Sequence, residues 1–472
     1  MRKFAPQNTM GKNSNQIDML HGPLWGKIFV FSLPLIASGI LQQSFNAVDV
    51  AVIGSYDTSR AMAAVGSNGP IISIMVNLFL GIAVGANVVI ANYIGQRHDS
   101  AVKRSVGTVA VVSVVSGLIL LVAGTTLARP ILELMSAPPD VIDLATLYLR
   151  IYFCGMPFMM AYNFGSAIMR SMGDTRRPFY ALMVATVVNT VLDWVLVACF
   201  GMGVAGVAIG TVVANAVNAG IIVWLLMREP EPFRLDLRKI GMSGVDLRKM
   251  LQIGVPAGLQ GMVFSISNIF IQSSINKFGA DAVAGSAAAL TYEAYCYYII
   301  NSFGAATIAF VSQNYGAGLY SRCRKAVSIC MTYAASLSLI ANVGIVWGEH
   351  VFLSVFTSDP EVVRYASIRL HTALLFQWLA SSYEISGAYM RGLGYSVLPM
   401  LLTIFGTCVL RLVWVYTVHP VYNDFHVLML VYPVSWIITG TAVVTAALIL
   451  QHRLFGVRPD KPQPPVAVEA GK

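Results

Sequence analysis

Charge is what this chain has least of. Asp, Glu, Lys and Arg make up 11% of its 472 residues, against roughly 25% in soluble domains. So little polar surface cannot clothe a water-soluble globule. Cysteine is equally sparse and unorganised. Cys154, Cys199, Cys296, Cys323, Cys330 and Cys408 form none of the close pairs that a zinc site or redox motif needs, so they read as small apolar filler. There is no His-rich cluster, H-E-x-x-H or G-x-S-x-G motif, and no phosphate-cradling G-x-x-x-x-G-K-[ST]. These absences argue against a membrane-embedded enzyme and against an ATP-driven machine. His371 stands alone near a helix end and reads as interfacial. Residues 1–24 hold no apolar stretch of signal-peptide type, so no cleaved leader is expected.

Apolar residues fill the space that charge leaves. They are 56% of the chain, and the mean hydropathy is +0.69. Runs of about 20 residues, the length that crosses a bilayer, can be placed twelve times. They lie near 29–54, 67–94, 105–127, 143–170, 178–200, 203–227, 251–277, 287–314, 326–347, 365–391, 398–419 and 427–450. The expected fold is an all-α integral membrane protein, because runs this long and apolar are spans of helix, which satisfies its own backbone within lipid. The lipid bilayer is thus one partner. The net charge of +9 comes from loops, so no nucleic-acid partner is expected.

Those loop charges are sorted by side. The amino-terminal tail and alternate loops, with Arg97, Lys103, Arg104, Arg170, Arg176, Arg177, Arg322, Arg324, Lys325 and Arg391 among them, hold 24 of the 31 Lys and Arg residues. Both termini are therefore expected in the cytoplasm. The opposite loops hold Asp57, Glu133, Asp140, Glu349, Asp359 and Glu361. Between spans six and seven, residues 228–249 read as a cytoplasmic linker whose charge run is a solvated face. The tails, 1–24 and 453–472, read as cytoplasmic, and the prolines of the second suggest disorder.

The chain also repeats itself. A shift of 221 residues lays Ala161–Pro178 (AYNFGSAIMRSMGDTRRP) on Ser382–Pro399 (SYEISGAYMRGLGYSVLP), and Gly95–Val106 on Gly316–Val327. Leu33-Pro34 answers Val255-Pro256 one residue out of step. The repeat divides the chain into an amino lobe (25–227, spans one to six) and a carboxyl lobe (250–452, spans seven to twelve). Two like-oriented lobes related by a pseudo-two-fold axis suggest a substrate path between them.

Ionisable groups inside a membrane are costly, which makes each a functional candidate. Asp49 in span one and Asp193 in span five lie roughly 7–11 Å below the outer boundary at about 1.5 Å per residue. Asn46 and Asn189 precede them by three and four residues, on the same helix faces. Thr211 in span six arrives at similar depth, with Asn215 one turn deeper. The second lobe puts Ile271, Leu410 and Trp414 where the first has Asp49, Asn189 and Asp193. A group needed only to hold the fold would be expected in both lobes, so the asymmetry favours function. Two buried carboxylates cannot both ionise cheaply, and such a pair titrates as a unit. It can hold a proton, or a sodium ion with help from the amide and hydroxyl oxygens. Loading or unloading that cation would bias which way a cavity faces.

The carboxyl lobe carries a different set. Glu293 in span eight and Arg411 in span eleven lie at comparable depth and are expected to pair. Glu384 in span ten is the repeat partner of Asn163. It either faces the central cavity, where it would attract a cationic substrate, or makes a helix–helix hydrogen bond. Tyr383 beside it, with Phe376 and Trp378, is read first as packing.

Several segments together resemble the multidrug and toxic compound extrusion (MATE) family. They are Leu33–Gly54 (LPLIASGILQQSFNAVDVAVIG), Ala61–Gly66 (AMAAVG), Ile94-Gly95-Gln96, Met169–Asp174 (MRSMGD), and Asn189 four residues before Asp193. The resemblance covers about residues 25–452. It implies twelve helices in two six-helix lobes, a prokaryotic inner-membrane location, and export of organic compounds against inward proton or sodium flow. In DinF-like members an amino-lobe cation site uses positions that match Asp49, Asn189, Asp193 and Thr211; Asn46 and Asn215 are read from depth and helix face alone as supporting polar groups. The span-seven acid of NorM-like members has no counterpart between Leu251 and Lys277.

The leading expectation is a secondary antiporter acting as a monomer, with H+ or Na+ as coupling ion, a small-molecule substrate and no cofactor. The runner-up is a flippase for a lipid-linked precursor, which needs a cationic cavity to meet pyrophosphate. Apart from Arg411 few basic residues fall deep in the spans, so the cargo is expected to be cationic or a neutral amphiphile.

Overall fold

The computed structural model describes residues 16–56, 59–66, 68–135, 139, 141–238 and 240–456. Residues 1–15, most of the carboxyl tail, and the side chain of Asn46 lie outside the described residues. Every regular element among those described is helical.

In the first lobe α1 (Leu24–Tyr56), α2 (Gly69–Gly95) and α3 (Asp99–Leu134) are continuous. The next span, α4, is two pieces, Ile142–Cys154 and Met156–Ser171, bent by 47°. Pro157 sits in the first turn of the second piece, and its missing N–H breaks the ladder there. Arg176–Asp193 forms α5, which runs on as a π turn over Trp194–Cys199. The lobe ends with α6 (Gly203–Met227).

In the second lobe α7 (Gly244–Asn276), α8 (Ala280–Gly316) and α9 (Tyr320–Trp347) are again continuous. The tenth span, α10, is interrupted: Pro360–Arg369, a π turn at Leu370–Leu374, a 3₁₀ turn at Gln377–Leu379, then Ala380–Gly392. The eleventh, α11, runs Val397–Thr403, Ile404–Val409 as a π turn, and Leu410–Thr417. Val431–Phe455 is α12. Among the described residues ten segments are long and apolar enough to cross a membrane, the bent α4 makes an eleventh, and the interrupted α10 takes the twelfth place. Residues such as Val114, Leu118, Ile119 and Val122 on α3 are exposed, as expected of a surface that faces lipid.

The lobes meet at the end where the basic residues gather, and glycine makes the contact possible. A Cβ on Gly81 would come within 2.2 Å of the Gly258 nitrogen, and one on Gly254 within 2.4 Å of the Ile82 Cα. Gly81/Gly85 and Gly254/Gly258 thus form a small-xxx-small seam between α2 and α7. Where α2 crosses α8, a Cβ on Gly95 would strike the Gln313 carbonyl at 2.0 Å, and one on Gly316 the Asn92 carbonyl at 2.2 Å. Gly95 and Gly316 are repeat partners, as are Asn92 and Gln313, so this crossing lies on the pseudo-two-fold axis.

Polar contacts reinforce the seal. Asp246 at the start of α7 accepts from Arg104 Nε (2.7 Å), Arg104 Nη2 (3.2 Å) and Tyr93 Oη (2.9 Å), and Lys249 donates to Tyr93 Oη at 3.0 Å. The segment before α1 straps both lobes. The Ile17 amide donates to the Gly173 carbonyl at 3.0 Å, while Asn314 and Arg322 donate to the Met19 carbonyl at 3.2 and 3.1 Å.

The linker is a solvated face only in part. Glu229 is buried and bonded to Arg177, Phe233 and Leu235 are buried, and Asp246 is fully enclosed. Glu229, Glu231 and Asp246 are spent on Arg177, Lys103 and Arg104 of distant segments, while Arg228, Arg234, Arg238 and Arg248 stay exposed, and α7 begins inside the linker, at Gly244.

Candidate functional site

Asp49, Asn189, Asp193 and Thr211 are all buried, and they converge from α1, α5 and α6. Helical spacing puts Asn189 and Asp193 on one face of α5. Asp193 is the last α-helical residue before the π turn at Trp194, and such turns concentrate at functional sites. Thr211 Oγ1 donates to Asp49 Oδ2 at 3.3 Å. The two carboxylates and the Asn189 amide adjoin one another. On α6, Gly210 gives Asp193 its room: a Cβ there would fall 2.1 Å from Asp193 Oδ1.

Among the described residues, five buried polar atoms in this cluster lack a well-formed hydrogen bond: Asp49 Oδ1, both amide atoms of Asn189, and both carboxylate oxygens of Asp193. Each such atom costs about 1–3 kcal/mol when left unpaired. Two ionised carboxylates are acceptors only and cannot bond to each other. A proton shared between them, or a cation among their oxygens, satisfies the set. The donor chemistry therefore fits either coupling ion. Asn215, one turn beyond Thr211, is half-buried and makes no hydrogen bond to the cluster. Two residues the sequence did not single out border it. Tyr148 and Tyr152 of α4 stack at 5.8 Å and lie in the electrostatic neighbourhood of Asp49.

A second feature lies between the lobes. A cavity of about 720 Å³ is walled by α1, α2, α4, α5, α7, α8, α10, α11 and α12, a volume suited to a drug-sized molecule. Asn163, Tyr383 and Glu384 line it, but Asp49 and Asp193 do not. Asn163 Nδ2 donates to the Met159 carbonyl at 2.9 Å. Glu384 does face the cavity, yet it is spoken for: Arg391 Nη2 donates to it at 2.9 Å and Tyr297 Oη reaches it at 3.5 Å. The arginine that pairs with it sits seven residues on, in the same helix.

The expected Glu293–Arg411 pair does not form. Glu293 takes both its bonds from Arg369, at 2.6 Å from Nε and 2.9 Å from Nη2, and Arg369 also donates to Ser286 Oγ. Arg411 instead donates to Ser435 Oγ (3.2 Å) and Asn268 Oδ1 (3.4 Å). The guanidiniums of Arg369 and Arg411 both lie over the Tyr432 ring, at 5.4 and 4.6 Å. Arg369, which the sequence did not single out, takes the place expected of Arg411. Nor are deep basic residues few: Arg170, Arg369 and Arg391 join Arg411 in the cavity wall. His371 is not isolated either, lying 3.5 Å from Glu349.

The MatE family model matches this chain twice, over residues 34–195 and 256–417. The probable multidrug resistance protein YoeA of Bacillus subtilis is 29% identical over 391 residues, covering 81% of this chain and 84% of that protein. A protein of Shewanella oneidensis named FAD transporter is 23% identical over 360 residues, covering 74% and 78%. Among solved structures, a crystal structure of MATE in complex with MaL6 superposes with a TM-score of 0.85 at 21% identity, covering 92% of this chain and 98% of that one. The two matched segments share the repeat found in the sequence.

Proposed function

From the premise that this chain belongs to the MatE family of multi-pass membrane transporters, we propose that it is a secondary antiporter. It exports organic compounds in exchange for H+ or Na+ by alternating access. The single observation that carries this reading is the cluster of five polar atoms without a well-formed hydrogen bond on Asp49, Asn189 and Asp193, apart from the cavity yet buried in the lobe that helps to wall it. Binding a cation removes most of the cost of burying the two acids, so loaded and unloaded states differ in the lobe geometry they favour. Thr211 and Asn189 complete the oxygen set.

The basic side is read as cytoplasmic, with both termini there, in the inner membrane of a bacterial cell, and the working unit as a monomer. On that reading the glycine seam, the Asp246 network and the Ile17–Met19 strap close the cytoplasmic side, and the cavity faces outward. Flipping a lipid-linked precursor is the second reading. One observation favours it: the cavity wall holds four arginines and two glutamates. Relatives named for multidrug resistance and for FAD transport differ in cargo, so family alone does not fix the substrate.

Purified protein in liposomes, given a pH gradient or a sodium gradient separately, tests the antiport reading. Accumulation of a fluorescent dye under one gradient, collapsed by the matching ionophore, is expected. Equal dye movement with and without either gradient would reject it.

A further inference from the structure

The charges in the cavity wall do not balance, and the imbalance has a specific origin. Arg391 and Arg170 are repeat partners at the same place in their lobes. Seven residues before Arg391 stands Glu384, which pairs with it at 2.9 Å. Seven residues before Arg170 stands Asn163, which is neutral and whose amide is turned to the Met159 carbonyl. Among the described residues no carboxylate pairs with Arg170, although it lines the cavity. Arg369 is neutralised by Glu293, while Arg411 has only the neutral Ser435 and Asn268 as hydrogen-bond partners.

Both glutamates of the wall are therefore matched, and two arginines are left over. Asp49 and Asp193 do not line this space, so they supply no compensation there. In a cavity walled largely by apolar and aromatic groups, such as Phe264 and Trp436, unmatched guanidiniums act at low dielectric and repel an entering cation. Guanidinium also matches carboxylate and phosphate oxygens in a bidentate fork.

We propose that the cargo of this cavity is an amphiphilic organic anion, an aromatic or apolar body bearing a carboxylate or phosphate, whose acidic group is held by Arg170 with Arg411 adding to the attraction. This deepens the export reading and rests on it for the direction of movement. It replaces the cationic or neutral cargo expected from the sequence, in which Arg170 and Arg391 count as loop charges. Glu384 then serves to occupy Arg391, not to attract a substrate.

The test uses two dyes with one xanthene body and opposite charge, fluorescein and rhodamine 6G. Binding is read first, by fluorescence polarisation on the purified full-length protein, and transport in liposomes second. Wild type is expected to bind fluorescein at least tenfold more tightly than rhodamine 6G. Arg170→Gln, and independently Arg411→Gln, should remove that preference, while Glu384→Gln, which frees Arg391, should strengthen fluorescein binding. Tighter binding of rhodamine 6G, no fluorescein binding, or loss of all dye binding in Glu384→Gln would overturn the proposal. Selective fluorescein binding without gradient-driven movement would uphold the cargo class and reject the antiport reading. Displacement of fluorescein by farnesyl diphosphate at lower concentration than by AMP places the anion on a lipid, and the reverse order places it on a soluble compound. Either order upholds the anionic class.

Discussion

Asp193 leans on Gly210: the space that a methyl group would take on that glycine lies 2.1 Å from the Asp193 Oδ1. The carboxylate reaches Asp49 only because α6 has no side chain there. Gly210→Ala should displace Asp193 from the cluster at a cost of about 1–3 kcal/mol, the range for overpacking a tight interior. Gradient-driven transport in liposomes should fall at least tenfold, while dye binding to the purified protein stays near wild type. Unchanged transport would mean that the position of Asp193 is immaterial.

The Asp246 carboxylate ties Arg104 and Tyr93 of the first lobe to the start of α7. Asp246→Asn removes the charge that holds Arg104 and leaves that guanidinium beside a neutral amide. Spin labels at Arg176 and Lys325, on opposite lobes at the basic end, should report a longer and broader distance in this variant by double electron–electron resonance. An unaltered distribution would show that the glycine seam alone sets the closed end.

Glu293 and Arg369 form a buried, two-bonded ion pair, whereas Arg411 has only neutral hydrogen-bond partners. Breaking one side of a buried pair typically costs about 3–5 kcal/mol. Glu293→Gln and Arg369→Gln should each lower the thermal midpoint of the purified protein well below that of wild type, and Arg411→Gln should not. A larger loss in Arg411→Gln than in Arg369→Gln would contradict the pairing seen here.

Trp194 directly follows Asp193 and is half-exposed. If the acid pair takes up protons, intrinsic fluorescence should change as pH is lowered in wild type, and the change should vanish in Asp193→Asn. A titration that survives the substitution would assign the signal to another group.

How much of this was legible in the sequence depends on which coordinate of a helix is asked for. Depth follows from counting residues at a fixed rise, and that count alone puts Asp49, Asn189, Asp193 and Thr211 on one level. Which side of the helix a residue faces requires regular geometry, and α10 is not regular. Nor is α11: the π turn at Ile404–Val409, directly ahead of Arg411, changes the angle per residue, so counting does not give the face on which Arg411 emerges, and Arg369, at the end of the first piece of α10, meets Glu293 instead. The burial of Glu229 and Asp246 was hidden for another reason: their partners, Arg177 and Arg104, lie 52 and 142 residues away. Arg170 and Arg391 sit at the ends of their predicted spans, where a long side chain can turn to a loop or a cavity with equal ease. The asymmetry between Asn163 and Glu384 was visible as a repeat mismatch, but its consequence for charge needed the Glu384–Arg391 bond.

The most direct measurement is gradient-driven transport by Asp49→Asn and Asp193→Asn in liposomes, beside Glu384→Gln, under imposed pH and sodium gradients in turn. Coupling at the amino-lobe pair predicts that either aspartate variant inserts normally and binds dye yet loses gradient-driven accumulation, while Glu384→Gln keeps it. Full accumulation in both aspartate variants would contradict that role.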